Sequence, residues 1–92
     1  MKIIWTDGAV EDLQTAFDYL EASSLEAASR FAEVILTRVE SLQTMPQRGR
    51  RRRSDSAYET YVHPWPYVII YEIVGEAVYI AGVMHTSRDR QL

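Results

Sequence analysis

Residues 47–56 contain no apolar side chain, and the apolar residues on either side of this gap follow different periods. Before it, Val10, Leu13, Phe17 and Leu20 recur at spacings of three and four, with Ala9 and Ala16 beside them. Ala28, Phe31, Ala32, Ile35, Val39 and Leu42 repeat the pattern. Such spacing places apolar groups on one stripe of an α-helix. After the gap the chain reads Tyr58-Glu59-Thr60-Tyr61-Val62, then Tyr67-Val68-Ile69-Ile70-Tyr71-Glu72-Ile73-Val74, then Ala77-Val78-Tyr79-Ile80-Ala81-Gly82-Val83-Met84-His85. These runs are rich in β-branched and aromatic residues. The middle one is apolar almost throughout, as a central strand covered on both faces is.

Local signals bound the elements. Ile3-Ile4-Trp5 is a short β-prone run. Thr6 or Asp7 offers a cap to the first helix, with Glu11 and Asp12 placed where negative charge suits the helix dipole. Ser23 or Ser24 caps the second helix, and Pro46 disfavours helical geometry at Met45 and ends it. Two amphipathic helices joined by so short a turn form an antiparallel hairpin. Residues 47–56 are expected as a loop. Pro64 and Pro66 interrupt pairing between the first two strands of the meander, and Gly75-Glu76 suits a type II′ turn between the last two. The order is β-α-α-β-β-β in one domain, residues 1–92. It is an α+β fold, with a helical hairpin packed on a mostly antiparallel sheet.

Composition narrows the function. Of 92 residues, 47% are hydrophobic and 25% charged, which is the globular range. Without cysteine there is no disulfide, thiolate metal site or cysteine nucleophile, which fits a reducing, cytoplasmic setting. The apolar run at the N-terminus is too short for a signal peptide or a membrane span. The net charge of −3 divides into −5 over residues 1–45 and +2 over residues 46–92. Non-specific nucleic-acid binding needs a broad positive face, and only a local patch supplies one here.

Few residues offer chemistry. His63 lies in a connection and reads as a surface histidine. His85 ends the last strand, before Thr86-Ser87-Arg88-Asp89-Arg90. It reads either as a general acid or base beside Arg88 and Arg90, or as a histidine that closes the strand by bonding to neighbouring backbone. No histidine pair has metal-ligand spacing, the acids are scattered over helix faces, and no Gly-rich phosphate loop exists; neither a metal nor a cofactor is expected. Arg48, Arg50, Arg51, Arg52 and Arg53 form either a solvated loop that protects an edge strand or a contact surface for an acidic partner or nucleic acid. Trp65, between two prolines, reads either as a plug over the end of the sheet, the favoured reading, or as an exposed anchor for a partner.

The whole pattern resembles the RelE/ParE toxin superfamily over nearly its full length. The resemblance rests on Ala9-Val10-Glu11-Asp12-Leu13, Phe17-Asp18-Tyr19-Leu20, and Ala28, Phe31 and Ile35. It continues through Leu42, Pro46, Gly49-Arg50, Tyr67-Val68-Ile69-Ile70-Tyr71, the Gly75 turn, and Val78-Tyr79-Ile80 running to Val83-Met84-His85 with Arg88-Asp89. It implies a toxin of a type II toxin–antitoxin module, bound and neutralised by a cognate antitoxin in a hetero-oligomer. RelE-type members resemble ribosome-dependent messenger-RNA endoribonucleases; ParE-type members are similar to DNA gyrase poisons with no hydrolytic site. Where ribonuclease members usually carry an arginine on the central strand, this chain has Val68, and its last strand leads to His85-Thr86-Ser87-Arg88 rather than a strongly basic run. The resemblance therefore favours the ParE type, not an enzyme, with gyrase as target. Arg48, Arg50, Arg51, Arg52, Arg53, Arg88 and Arg90 are the expected target contacts. The alternatives are an endoribonuclease using His85, Arg88 and Arg90, or a non-toxic antitoxin-binding relative.

Overall fold

The computed structural model describes residues 1–53 and 55–89, with Arg88 and Asp89 by their backbone alone. Arg90 lies outside the described residues. Strand β1 (Lys2–Trp5) ends where Thr6 turns the chain. The Thr6 hydroxyl accepts the Ala9 amide at 3.1 Å and donates to the Ile80 carbonyl at 2.8 Å, so one side chain starts helix α1 (Asp7–Glu21) and ties it to the sheet. Ser24 does the same capping for helix α2 (Leu25–Ser41), its hydroxyl accepting the Ala27 amide at 3.1 Å. Helix α2 stops before Pro46. The Leu42 amide reaches back three residues to Val39 and that of Gln43 to Glu40, a tightened last turn.

Four further strands follow: β2 (Arg50–Arg51), β3 (Tyr58–Tyr61), β4 (Tyr67–Val74) and β5 (Ala77–His85), then a single helical turn, α3 (Thr86–Asp89). The sheet order is β1-β5-β4-β3-β2. β1 runs parallel to β5 and every other pair is antiparallel. Gly75 has φ of +61° and Glu76 does not have positive φ, as a type II′ turn requires.

Two expectations change. The segment 47–56 is not wholly loop: Arg50 pairs with Glu59 and Arg51 with Tyr58, making a fifth strand. An edge strand need bury no side chain of its own, so the lack of apolar residues did not forbid it. Val10 is also not on the inner stripe. It is 54% exposed, whereas Ala9 and Ala16 are buried with Leu13 and Leu20 packed beside them. Small alanines let α1 approach the sheet closely, and the larger Val10 falls on the flank.

The main core lies between the hairpin and the sheet. Phe31 and Ile35 from α2, and Leu42 just past its end, meet Ile69, Tyr71 and Ile80, all fully buried; each contributes roughly 2–3 kcal/mol of apolar burial. Trp65 closes the end of this core, its ring edge-on to Phe31 at 5.5 Å, as a plug. Arg38 fastens α2 to β3 by donating to Thr60 Oγ1 (3.2 Å) and the Tyr61 carbonyl (2.7 Å). On the opposite face of the sheet, Ala57, Val68 and Ile70 form a second buried apolar cluster with Met84.

Candidate functional site

The arginine segment is held by a tyrosine from the centre of the sheet. Tyr71 Oη accepts the Gly49 amide and donates to the Pro46 carbonyl, both at 2.9 Å. Its ring stacks on Tyr58 at 5.5 Å, and the Arg51 guanidinium lies 5.8 Å from the centre of the Tyr58 ring. Burial pushes the Tyr71 phenol above its ordinary pKa of 10.0, against the opposing pull of the Gly49 amide. Only glycine fits at position 49, since a Cβ would overlap the Tyr71 hydroxyl and lie 2.7 Å from the Glu59 carbonyl oxygen.

The five arginines are not equivalent. Arg48, Arg50, Arg51 and Arg53 are exposed. Arg52 has a side chain only 18% exposed and faces two carboxylates, Asp55 at 3.5 Å and Glu59 at 3.8 Å. The Asp55 carboxylate also accepts the Ala57 amide at 3.0 Å, and the Arg52 amide donates to the Ala57 carbonyl at 2.8 Å. Arg52 thus closes the β2–β3 hairpin, while its neighbours project a local positive edge from an otherwise acidic chain.

His85 stands elsewhere. β5 is separated from β2 by β4 and β3, three strand spacings or about 14 Å. His85 Nδ1 accepts the Ser87 amide at 3.2 Å and lies 2.8 Å from the Ser87 hydroxyl, and its ring meets Tyr67 edge-on at 5.2 Å. It closes the strand by bonding to following backbone. α3, which carries the Arg88 backbone, follows β5, so the structure does not bring the Arg88 backbone to the arginine edge. His63 is exposed and stacks on Tyr61 at 6.0 Å.

Two open clefts share Ser87 in their lining. One, of about 450 Å³, is lined by Asp12, Thr15, Tyr19, Tyr67, Val83 and His85 among others. The other, of about 750 Å³, is lined by Tyr61, His63, Trp65 and Thr86 with the flanking prolines. Asp12 was not anticipated: its carboxylate accepts the Val83 amide at 3.1 Å, across 71 positions of sequence. Among the described residues no group of three or more His, Asp or Glu side chains is placed to hold a metal, and no helix is long and apolar enough to cross a membrane.

A helical hairpin over a sheet with this strand order, and an arginine edge apart from the His85 end, defines a small α+β scaffold. The comparisons agree. The family described as the ParE toxin of the type II toxin–antitoxin system, parDE, matches residues 3–90, and the chain belongs to it. It is 36% identical over 87 residues to Toxin RelE2 of Caulobacter vibrioides, covering 95% of this chain and 97% of that protein. The fold is shared with a solved structure described as the chromosomal ParDE TA system from P. aeruginosa. That match has a TM-score of 0.78 and 24% identity, and covers 92% of this chain and 95% of the other.

Proposed function

We propose that this toxin acts as a ParE-type inhibitor of DNA gyrase in the cytoplasm, arresting the enzyme on cleaved DNA, and that a cognate antitoxin neutralises it. The observation that carries this reading is the character of the second sheet face. At its centre, where a ribonuclease of this scaffold would present basic side chains to RNA, stand Val68, fully buried, and Ile70, joined by Ala57 and Met84. Among the described residues the centre of this face offers no cation to stabilise a phosphorane-like transition state; Arg50 and Arg52, which share the face through Glu59, stand at its β2 margin. Four exposed arginines, Arg48, Arg50, Arg51 and Arg53, lie in or beside the β2 edge, and these are the proposed target contacts. Arg88 and Arg90 remain proposed target contacts.

Purified gyrase tests this. The chain should inhibit supercoiling and trap cleaved plasmid, with inhibition weakening as salt rises because exposed charge pairs are screened. Replacing the four exposed arginines by alanine should remove the effect while leaving the fold intact. Full inhibition by that variant would move the contact elsewhere.

A second reading, a ribosome-dependent endoribonuclease, draws on the cleft in which His85 sits beside Tyr67. In that case His85→Ala abolishes transcript cleavage while the protein remains folded.

A further inference from the structure

β1 stops at Trp5, opposite Ile80, whereas β5 continues to His85. Among the described residues no strand pairs with this last stretch of β5 on the β1 side. The stretch is also re-phased. Up to Ile80, the carbonyls of Glu76 and Ile80 face β1, receiving the Lys2 and Thr6 amides. The register then shifts, Tyr71 pairing with Ile80 but Ile70 with Gly82, so Ala81 is an extra residue. Beyond it the Thr86 amide donates to Pro66 on the β4 side. By alternation, Gly82, Met84 and Thr86 bond toward β4, and the amide and carbonyl of Val83 and the amide of His85 face outward, the His85 carbonyl being the first acceptor of α3.

An outward row of backbone donors and acceptors is a template for another strand. Asp12 occupies its first position, with Oδ2 on the Val83 amide. Gly82 leaves room for that carboxylate, since a Cβ there would stand 3.0 Å from Asp12 Oδ2. The edge lies in the cleft walled by Thr15 and the 72% exposed Tyr19.

We infer that the Val83 to His85 edge is a strand-addition site for an extended antitoxin segment carrying a lysine or arginine, and that Asp12 guards it. This inference rests on the antitoxin reading above. On binding, a carbonyl of the incoming strand takes the Val83 amide, and the released Asp12 carboxylate pairs with the incoming cation. The charge of the site selects this occupant. Asp12 is the only acid lining the cleft and no lysine or arginine lines it among the described residues, while α1 adds Asp7, Glu11, Asp18 and Glu21 with no base. A basic segment is attracted and an acidic one repelled. In the free protein the carboxylate satisfies the amide and places a charge on the edge, which discourages pairing with an arbitrary strand.

The test uses the ¹⁵N-labelled chain and its cognate antitoxin. Amide exchange is followed by NMR, and affinity is measured for the wild type, Asp12→Asn and Tyr19→Ala. The asparagine keeps an oxygen for the Val83 amide and removes the charge. The expected result is slowed exchange at His85 in the complex, by at least about tenfold. Asp12→Asn should bind roughly three- to tenfold more weakly, a deficit that shrinks at high salt. An antitoxin that binds and restores growth, yet leaves the His85 amide unchanged and binds Asp12→Asn as it does wild type, overturns the site alone. An antitoxin that does not bind overturns both the site and the reading beneath it. Slowing at the same amides with rising concentration of the chain by itself overturns the antitoxin as occupant in favour of a second copy.

Discussion

The Tyr71 hydroxyl accepts the Gly49 amide at 2.9 Å, which joins the most buried strand of the sheet to the arginine edge that the proposed function uses. The same hydroxyl donates to Pro46, so one phenol fixes both sides of the turn that leads into β2. The basic edge is therefore anchored from within the core rather than laid loosely on it.

Gly49→Ala should destabilise the protein by about 2–4 kcal/mol, because the added methyl must displace either the Tyr71 hydroxyl or the β3 backbone. Tyr71→Phe should cost about 1–3 kcal/mol by stranding the Gly49 amide and the Pro46 carbonyl. Urea unfolding of both variants measures this. A loss under about 0.5 kcal/mol in each contradicts the anchor.

Stability should also respond to alkaline pH through Tyr71. Its pKa is raised by burial, so the fold favours the neutral phenol. That contribution is fully present below the unfolded value of 10.0 and is lost as pH rises through the folded value. The wild type should lose stability above about pH 10 more steeply than Tyr71→Phe, in denaturant titrations at successive pH values. Parallel curves for the two proteins would remove Tyr71 from the account.

The arginines should separate by role. Arg52→Ala leaves Glu59, with a side chain 11% exposed, facing no Arg52 guanidinium, and should cost on the order of 2 kcal/mol in thermal unfolding. Arg51→Ala removes an exposed guanidinium over Tyr58 and should cost under about 1 kcal/mol. Toxicity should show the reverse emphasis per unit of stability, with Arg51→Ala weakening growth arrest in a protein that remains folded. Equal stability losses would contradict the distinction between the two.

His85→Ala should leave growth arrest intact. Its ring nitrogen bonds to the Ser87 backbone and its ring packs on Tyr67, so the cost is about 1 kcal/mol of stability rather than a lost reaction. Melting temperature and growth curves of the same variant give both readouts. Arrest abolished in a stably folded His85→Ala protein supports the endoribonuclease instead.

Much of the scaffold was legible because it is written in local patterns. The spacing from Ala28 to Leu42 and the continuous apolar run from Tyr67 to Tyr71 each specify burial through the period of one element. The caps Thr6 and Ser24 are equally local. What escaped is long-range or polar. Arg50 and Arg51 form a strand through pairing with Glu59 and Tyr58, and nothing in their own composition announces it. Val10 outweighs Ala9 in any hydrophobic pattern, yet close approach to the sheet selects the alanine. The contact of Asp12 with Val83 joins the first helix to the last strand. Its one sequence trace is Gly82, an isolated glycine in a strand, which is a common sign of a bulge.

The most direct test of the central claim is the state of plasmid DNA and messenger RNA in bacteria expressing this chain without an antitoxin. Growth arrest with relaxed or cleaved plasmid and intact transcripts is the predicted result. Growth arrest with normally supercoiled plasmid and cut transcripts would contradict it.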